Sequence, residues 1–374
     1  MPSALESNQR SCRNGVGFQG ISNSVDERVS ITADVVSAVV VTYGDRAHLC
    51  VQVIERLADI GVLEILLVDN GSSAAAISVY QKLTDQISQL RILSLEQNLG
   101  SAVGFTAGIE HFLSESDGTY ICILDDDNLP SENVLSDLSR VANELIESGV
   151  ASDPVLHCNR SDTREADATA LKTGQPKTLK ADEFMGFSIA NWIDSKFGGS
   201  GRQLIDSTRA YVEIHRGSYG GLLASRKNIS RIGLPQSDFV LYADDTEYTY
   251  RFHQNGIRQF LVASATVTDL EPTFAAGSDY FSSAMSDMKV YFSIRNHVYL
   301  SQGRRTSSVA YWLNKSWLLC LLSLRALTVL LVRPRFLIRR YALIFHAIRH
   351  GESKNLFVNS LEHFERWNLK RGYD

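Results

Sequence analysis

Asp125-Asp126-Asp127 sets three carboxylates in a row behind an apolar run, Gly118-Thr119-Tyr120-Ile121-Cys122-Ile123-Leu124. Read as a buried strand, that run delivers the acids to the carboxyl edge of a sheet, where open α/β folds bind ligands. Carboxylates packed side by side repel, and a shared cation relieves them. A hard divalent ion such as Mg²⁺, held by one or two carboxylates and completed by phosphate oxygens, suits an all-oxygen site. A helix start at Ser131-Glu132-Asn133 also attracts acid, but capping needs one carboxylate and not three.

Three more polar clusters follow apolar runs upstream. Thr42-Tyr43-Gly44-Asp45 offers an aromatic and an acid to flank a flat base. Asp69-Asn70-Gly71-Ser72-Ser73 puts an acid and an amide beside a helix start, and reads equally well as a turn and cap. Gln97-Asn98-Leu99-Gly100 opens a series of glycines at 100, 104 and 108 that lets a helix approach a sheet. Each has a bland explanation alone, but turns do not require recurrence at successive strand ends. Far downstream, Tyr242-Ala243-Asp244-Asp245-Thr246-Glu247 starts a helix with acids that suit its dipole, or that supply a general base facing the cation site. Before it, Gly217-Ser218-Tyr219-Gly220-Gly221 has glycines that let backbone come close to a ligand. Val41-Thr42-Tyr43-Gly44-Asp45-Arg46 does not supply the Gly-x-Gly-x-x-Gly of a dinucleotide fold, and no phosphate-loop motif is present.

The elements that must position these clusters alternate. Val35–Thr42, Leu63–Val68, Arg91–Leu95 and Tyr120–Leu124 read as strands, with helical spacing over Arg46–Ile60, Ala74–Leu90 and Gly100–Leu113. This order predicts an α/β fold with a mostly parallel sheet flanked by helices and right-handed crossovers. Residues 150–210 are polar and read as insertion loops around a substrate cleft. Strands resume near Tyr211–His215, Leu222–Ala224 and Phe260–Val267, with a helix over Ala243–Asn255.

In this order the motifs resemble family 2 glycosyltransferases with the GT-A fold. The matching pieces are Val39-Val40-Val41-Thr42-Tyr43, Leu67-Val68-Asp69-Asn70-Gly71-Ser72, Asn98-Leu99-Gly100, Leu124-Asp125-Asp126-Asp127 and Tyr242-Ala243-Asp244-Asp245. Arg295-Asn296-His297-Val298-Tyr299-Leu300 resembles a segment of rhamnosyl- and galactofuranosyl-type members. The resemblance implies a metal-dependent, inverting transfer from a nucleotide-sugar donor. It implies a donor site from Thr42, Tyr43, Asp69, Asn98, Gly100, Asp125 and Asp126, with Mg²⁺ or Mn²⁺ on Asp127 and Asp125. It further implies a catalytic base at Asp245 beside Asp244, and acceptor contacts at Tyr219 and Gly220. Where many members carry a metal-binding His, this chain has Asp269, which can also ligate such an ion.

The chain has 374 residues, 44% hydrophobic and 21% charged, enough for a sizeable core. The resemblance spans about 35–300, giving a donor half (35–149) and an acceptor half (150–300), preceded by a loose extension (1–34). Five scattered cysteines without a Cys-x-x-Cys pair suggest a reducing compartment, and the opening residues contain no signal segment. Cytoplasmic residence is expected. The net charge of −5 hides nine Lys or Arg between Gln302 and His350 with no acid among them. Interleaved with apolar runs and tryptophans, these predict a helical section (301–374) lying on an anionic membrane, peripheral on its inner face. Nucleic acid is a poor partner for such a pattern. The expected acceptor is a growing surface polysaccharide or glycolipid. Two rival readings are a sugar nucleotidyltransferase, for which Gly44-Asp45-Arg46 is a poor phosphate loop, and a non-catalytic membrane-associated scaffold, against which the intact acids argue.

Overall fold

The computed structural model describes residues 31–160, 165–197, 209–271, 280–282 and 285–370. The expected N-terminal extension lies, as far as residue 30, outside them. The first half alternates as anticipated: β1 (Val36–Gly44), α1 (Ala47–Ile60), β2 (Glu64–Ser72), α2 (Ala74–Thr84), β3 (Leu90–Leu95), α3 (Ser101–Ser114) and β4 (Tyr120–Asp125). Strands β3, β2, β1 and β4 lie side by side and parallel, with Val41 opposite both Val68 and Asp125. Their acid-bearing ends therefore share one edge.

Strand β1 is apolar at nearly every position because both of its faces are covered, as parallel strands require. Val36, Ala38 and Val40 pack with Cys50, Val53 and Leu57 of α1 on one side. Val39 and Val41 pack with Phe105, Ile109 and Phe112 of α3 on the other. Helix α3 lies close there: a Cβ at Gly108 would stand 2.4 Å from a Val39 methyl.

The second half continues through β5 (Asn128–Pro130), α4 (Val134–Glu147), β6 (Val155–Asn159), α5 (Glu165–Thr173), α6 (Ile189–Phe197), β7 (Tyr211–Ile214), β8 (Leu222–Ser225), α7 (Arg226–Ile232), α8 (Asp244–Gln254) and β9 (Gln259–Asp269). The sheet runs β3-β2-β1-β4-β8-β6-β9-β5, with β7 paired to β9. Here it turns mixed: β8 is antiparallel to β4 and β6, while β6 and β9 are parallel. Residues 150–210 are thus not wholly insertion loops. Val155–Asn159 is a central strand, and its polar His157 is buried because its Nε2 meets Gln259 Oε1 at 3.0 Å.

The C-terminal section is helical: α9 (Asp287–Gln302), α10 (Ser308–Val332), α11 (Pro334–Glu352) and α12 (Leu361–Leu369). These helices share one apolar cluster, which also takes in Phe184 and Val240 beside the sheet. Among the described residues no helix is long and apolar enough to cross a membrane. Seven of the nine basic residues fall into two groups. Lys315 is ion-paired with Glu352 at 2.7 Å, and Arg339 and Arg340 with Asp287 at 3.2 and 3.3 Å. Arg305, Arg333, Arg335 and Arg349 are exposed.

Candidate active site

At the end of β4 the chain turns sharply, and the three aspartates part company. Asp126 is buried beneath the edge, where Thr42 Oγ1 donates to it at 2.8 Å and Arg46 Nε reaches both carboxylate oxygens at 2.9 Å. Asp125 and Asp127 are less enclosed. Arg46 also bonds Asp127 at 3.1 Å and Glu271 beyond β9. Burial pushes the Asp126 carboxyl up despite Arg46 and Thr42, and burial followed by the neighbouring Asp126 pushes up Asp127. Asn128 Nδ2 donates to Asp127 and to Asp269, each at 3.0 Å, and Arg160 closes on Asp269 in a buried ion pair.

Loops after β2 and β3 are locked to each other. Asp69, itself buried, accepts the Ser72 N–H at 2.8 Å. Asn70 accepts from Leu99 N–H at 2.9 Å and donates to the Gly100 carbonyl at 3.0 Å, while Asn98 Oδ1 takes the Gly100 N–H at 2.9 Å. Gly100 has φ +93°, and a Cβ there would stand 2.3 Å from the Val240 carbonyl oxygen. The donor-side loops therefore rest directly on the segment that leads into α8.

That segment is strained. Val240, Tyr242 and Ala243 have φ of 64°, 64° and 61°, each a conformation that costs a non-glycine residue about 1–3 kcal/mol. It ends in Asp244 and Asp245 at the start of α8. Asp244 is buried and accepts from Ser101 Oγ at 3.1 Å. Burial, then Asp245, with a smaller contribution from Asp125, pushes its carboxyl up to about 8. Asp245 is less enclosed and accepts the Thr246 N–H at 2.6 Å.

The edge thus brings together most residues singled out in the sequence, in differing roles. Tyr43 is 48% exposed and Tyr242 39%, leaving two rings open to a ligand. Thr42 and Asp126 instead bond each other in the wall below, because alternate residues of a strand end face opposite ways. Tyr219, expected at the acceptor, is buried with its ring 4.1 Å from Phe105, and its hydroxyl has no hydrogen-bond partner among the described residues. Gly220 lies under Asn128 and Arg160, where a Cβ would collide with both. Asp125, Asp127 and Asp269 are not gathered into one ligand set, and among the described residues no group of three or more His, Cys, Asp or Glu stands ready for a metal. Asp125 and Asp127, the two less enclosed carboxylates at the end of β4, are a donor set of the kind that suits a divalent ion taking its other ligands from phosphate. Arg46, Asn128, Arg160 and Ser101 were not picked out from sequence. Charge balance is the signal that finds Arg46, because three acids at a buried edge demand a cation nearby.

Residues 37–183 match the model of a family described as glycosyl transferase family 2. The fold is α/β and GT-A-like, with a mostly parallel, curled sheet flanked by helices. None of the curated proteins compared matches the chain in sequence. Among solved structures it is similar to the mannosyltransferase PcManGT from Pyrobaculum calidifontis in complex with GDP-Man and Mn²⁺. That pair is 15% identical over 87% of this chain and 88% of that one, with a TM-score of 0.44. It is also similar to S. aureus TarS 1-349 in complex with UDP-GlcNAc, 12% identical over 90% and 92% of the two chains, with a TM-score of 0.45.

Proposed function

We propose that this chain is an inverting glycosyltransferase that moves a sugar from a nucleoside-diphosphate donor to a growing surface polysaccharide or glycolipid. The motif resemblance favours galactofuranose or rhamnose. One observation carries the reading: Ser101, directly after the Asn98-Leu99-Gly100 loop, holds the Asp244 carboxyl group at 3.1 Å, so the acidic start of α8 stands at the same sheet edge as the loops after β2 and β3. Donor and acceptor chemistry thereby meet at one sheet edge.

Tyr43 and Tyr242 flank the nucleotide base, with Asp69 below it and Asp125 toward the ribose. Asp127 and Asp125 would hold Mg²⁺ or Mn²⁺, which offsets the charge growing on the departing diphosphate. Asp269, neutralised by Arg160, is a brace for Asn128 and through it for Asp127. Asp244 is buried and held by Ser101 at 3.1 Å, and burial raises its carboxyl, so the less enclosed Asp245 is assigned as the base with Asp244 beneath it. Asp245 takes the acceptor hydroxyl proton as that oxygen attacks the anomeric carbon, and the bond from that carbon to the diphosphate breaks on the opposite face. A single displacement of this kind inverts the anomeric centre.

The C-terminal helices are proposed to rest on an anionic bilayer. On α11, Arg335, Ile338, Phe345 and Arg349 recur at helical spacing and are exposed, Ile338 by 68% and Phe345 by 63%. On α10, Val309, Trp312, Leu313, Trp317 and Leu324 form a second exposed apolar face. Apolar side chains set between arginines suit an interface of lipid tails and anionic headgroups. The enzymatic reading is tested by nucleotide release from UDP-, dTDP- and GDP-sugars with Mn²⁺ or Mg²⁺ and extracted glycolipid. Release from one donor, lost in Asp127→Ala and reduced about 10²–10⁴-fold in Asp245→Asn, is the expected result. Absence of both release and calorimetric donor binding would favour a scaffold.

A further inference from the structure

The Arg295-Asn296 pair has no part in the chemistry above, yet both residues are fully buried on α9 and both point at the strained segment before α8. Arg295 Nη2 donates to the carbonyls of Asp238 and Phe239 at 2.8 and 3.0 Å. Its Nη1 reaches the Val358 carbonyl, and its Nε donates to Asn296 Oδ1 at 2.8 Å. Asn296, oriented by that bond, shares its two N–H donors among the carbonyls of Phe239, Leu241 and Tyr242 at 2.9, 2.7 and 2.8 Å. From the opposite side the Ala102 N–H bonds the Val240 carbonyl at 3.2 Å. Three positive-φ residues without glycine persist only where the surroundings over-determine them. Here nearly every carbonyl from 238 to 242 is tied down.

We propose that Arg295 and Asn296 are positioning residues for the reaction: by holding Val240–Ala243 in its strained form they fix where Asp244 and Asp245 stand. They touch neither donor nor acceptor. The inference rests on Asp245 being the base. A planar guanidinium with several donors is needed to span carbonyls on separate segments, which an ammonium cannot do. The amide at 296 is equally specific, because a carboxylate there would face three carbonyl oxygens with no proton to give.

The test compares wild type with Asn296→Ala, Asn296→Asp and Arg295→Lys, using whichever sugar nucleotide of the panel turns over. Turnover, donor KM, calorimetric binding of the corresponding nucleoside diphosphate and thermal unfolding are read for each. The expected result is a fall in kcat of about 100-fold in both Asn296 variants and about tenfold in Arg295→Lys. Donor KM and diphosphate affinity stay within about threefold. Ala243→Gly, which relieves a left-handed alanine, recovers part of the kcat lost in Asn296→Ala. A folded Asn296→Ala with unchanged kcat overturns the proposal. So does a KM that rises in step with the loss, or a failure of Ala243→Gly to restore turnover. Where Arg295→Lys does not fold, the Asn296 variants carry the decision. Asp245→Asn is run alongside. If it keeps full turnover the base assignment is wrong, and if the wild type neither releases nucleotide nor binds donor the transferase reading itself fails, both outcomes distinct from a failure at 296.

Discussion

Arg46 places one guanidinium among Asp126, Asp127 and Glu271, and so sets the resting charge of the candidate site. Asp126 is the member buried deepest, and a buried carboxylate is tolerable only when paired and hydrogen-bonded. Arg46 and Thr42 do that work and leave Asp125 and Asp127 nearer the ligand. A different buried group governs stability in acid. His157 is enclosed in β6, and burial lowers its imidazole to about 4 from an ordinary 6.5. Between those values the unfolded chain binds a proton that the folded chain refuses. Stability therefore falls as pH drops from 6.5 toward 4, and the loss is complete below the folded value. Its full size is roughly 3 kcal/mol. Urea unfolding at pH 7 and pH 4.5 should show the gap between wild type and His157→Gln shift by up to about that amount in favour of the variant. Parallel pH dependence in the two proteins would rule His157 out.

At the scale of elements, the site depends on loops that rest on one another, and Gly100 is the point of contact. Its positive φ and the nearness of the Val240 carbonyl leave no room for a methyl group. Gly100→Ala should therefore lower stability by about 2 kcal/mol or more and reduce turnover more than donor binding. Thermal unfolding beside steady-state kinetics checks this, and an unshifted melting temperature would contradict it. Strands β1 to β4 and their acids were legible in the sequence because each is an apolar run ending in polar residues, a local pattern. Strand β6 was not, since Val155-Leu156-His157-Cys158-Asn159 carries polar groups whose partner, Gln259, is distant in sequence. The same reason hid Arg160, which meets Asp269, and misplaced Tyr219, whose burial is decided by Phe105 and Tyr248. Arg295-Asn296 stood out as a motif, but only the fold shows that its hydrogen bonds go to backbone.

At the scale of the whole molecule, the basic C-terminal section presents fewer charges outward than its sequence suggests, because Lys315, Arg339 and Arg340 are spent on Glu352 and Asp287. What remains on α11 is a short pattern: Arg335 and Arg349 at the ends, Ile338 and Phe345 between them. If a bilayer covers this face, binding must need both chemistries at once. Each arginine near an anionic surface contributes about 1 kcal/mol, so Arg335→Gln with Arg349→Gln should weaken binding to phosphatidylglycerol vesicles roughly 30-fold. Ile338→Ser with Phe345→Ser should weaken it at least as much, and phosphatidylcholine vesicles should bind poorly throughout. Raising salt from 0.1 to 1 M shortens the screening length from about 10 to about 3 Å. It should therefore weaken binding of the wild type more than the residual binding of the arginine variant. Vesicle co-sedimentation reads all of these. Failure of the wild type to bind anionic vesicles, together with self-association that Ile338→Ser abolishes, would assign the face to a second copy of the chain instead. Because neither variant touches the sheet edge, nucleotide release in detergent solution should be unchanged in both, so a membrane defect can be told apart from a damaged active site.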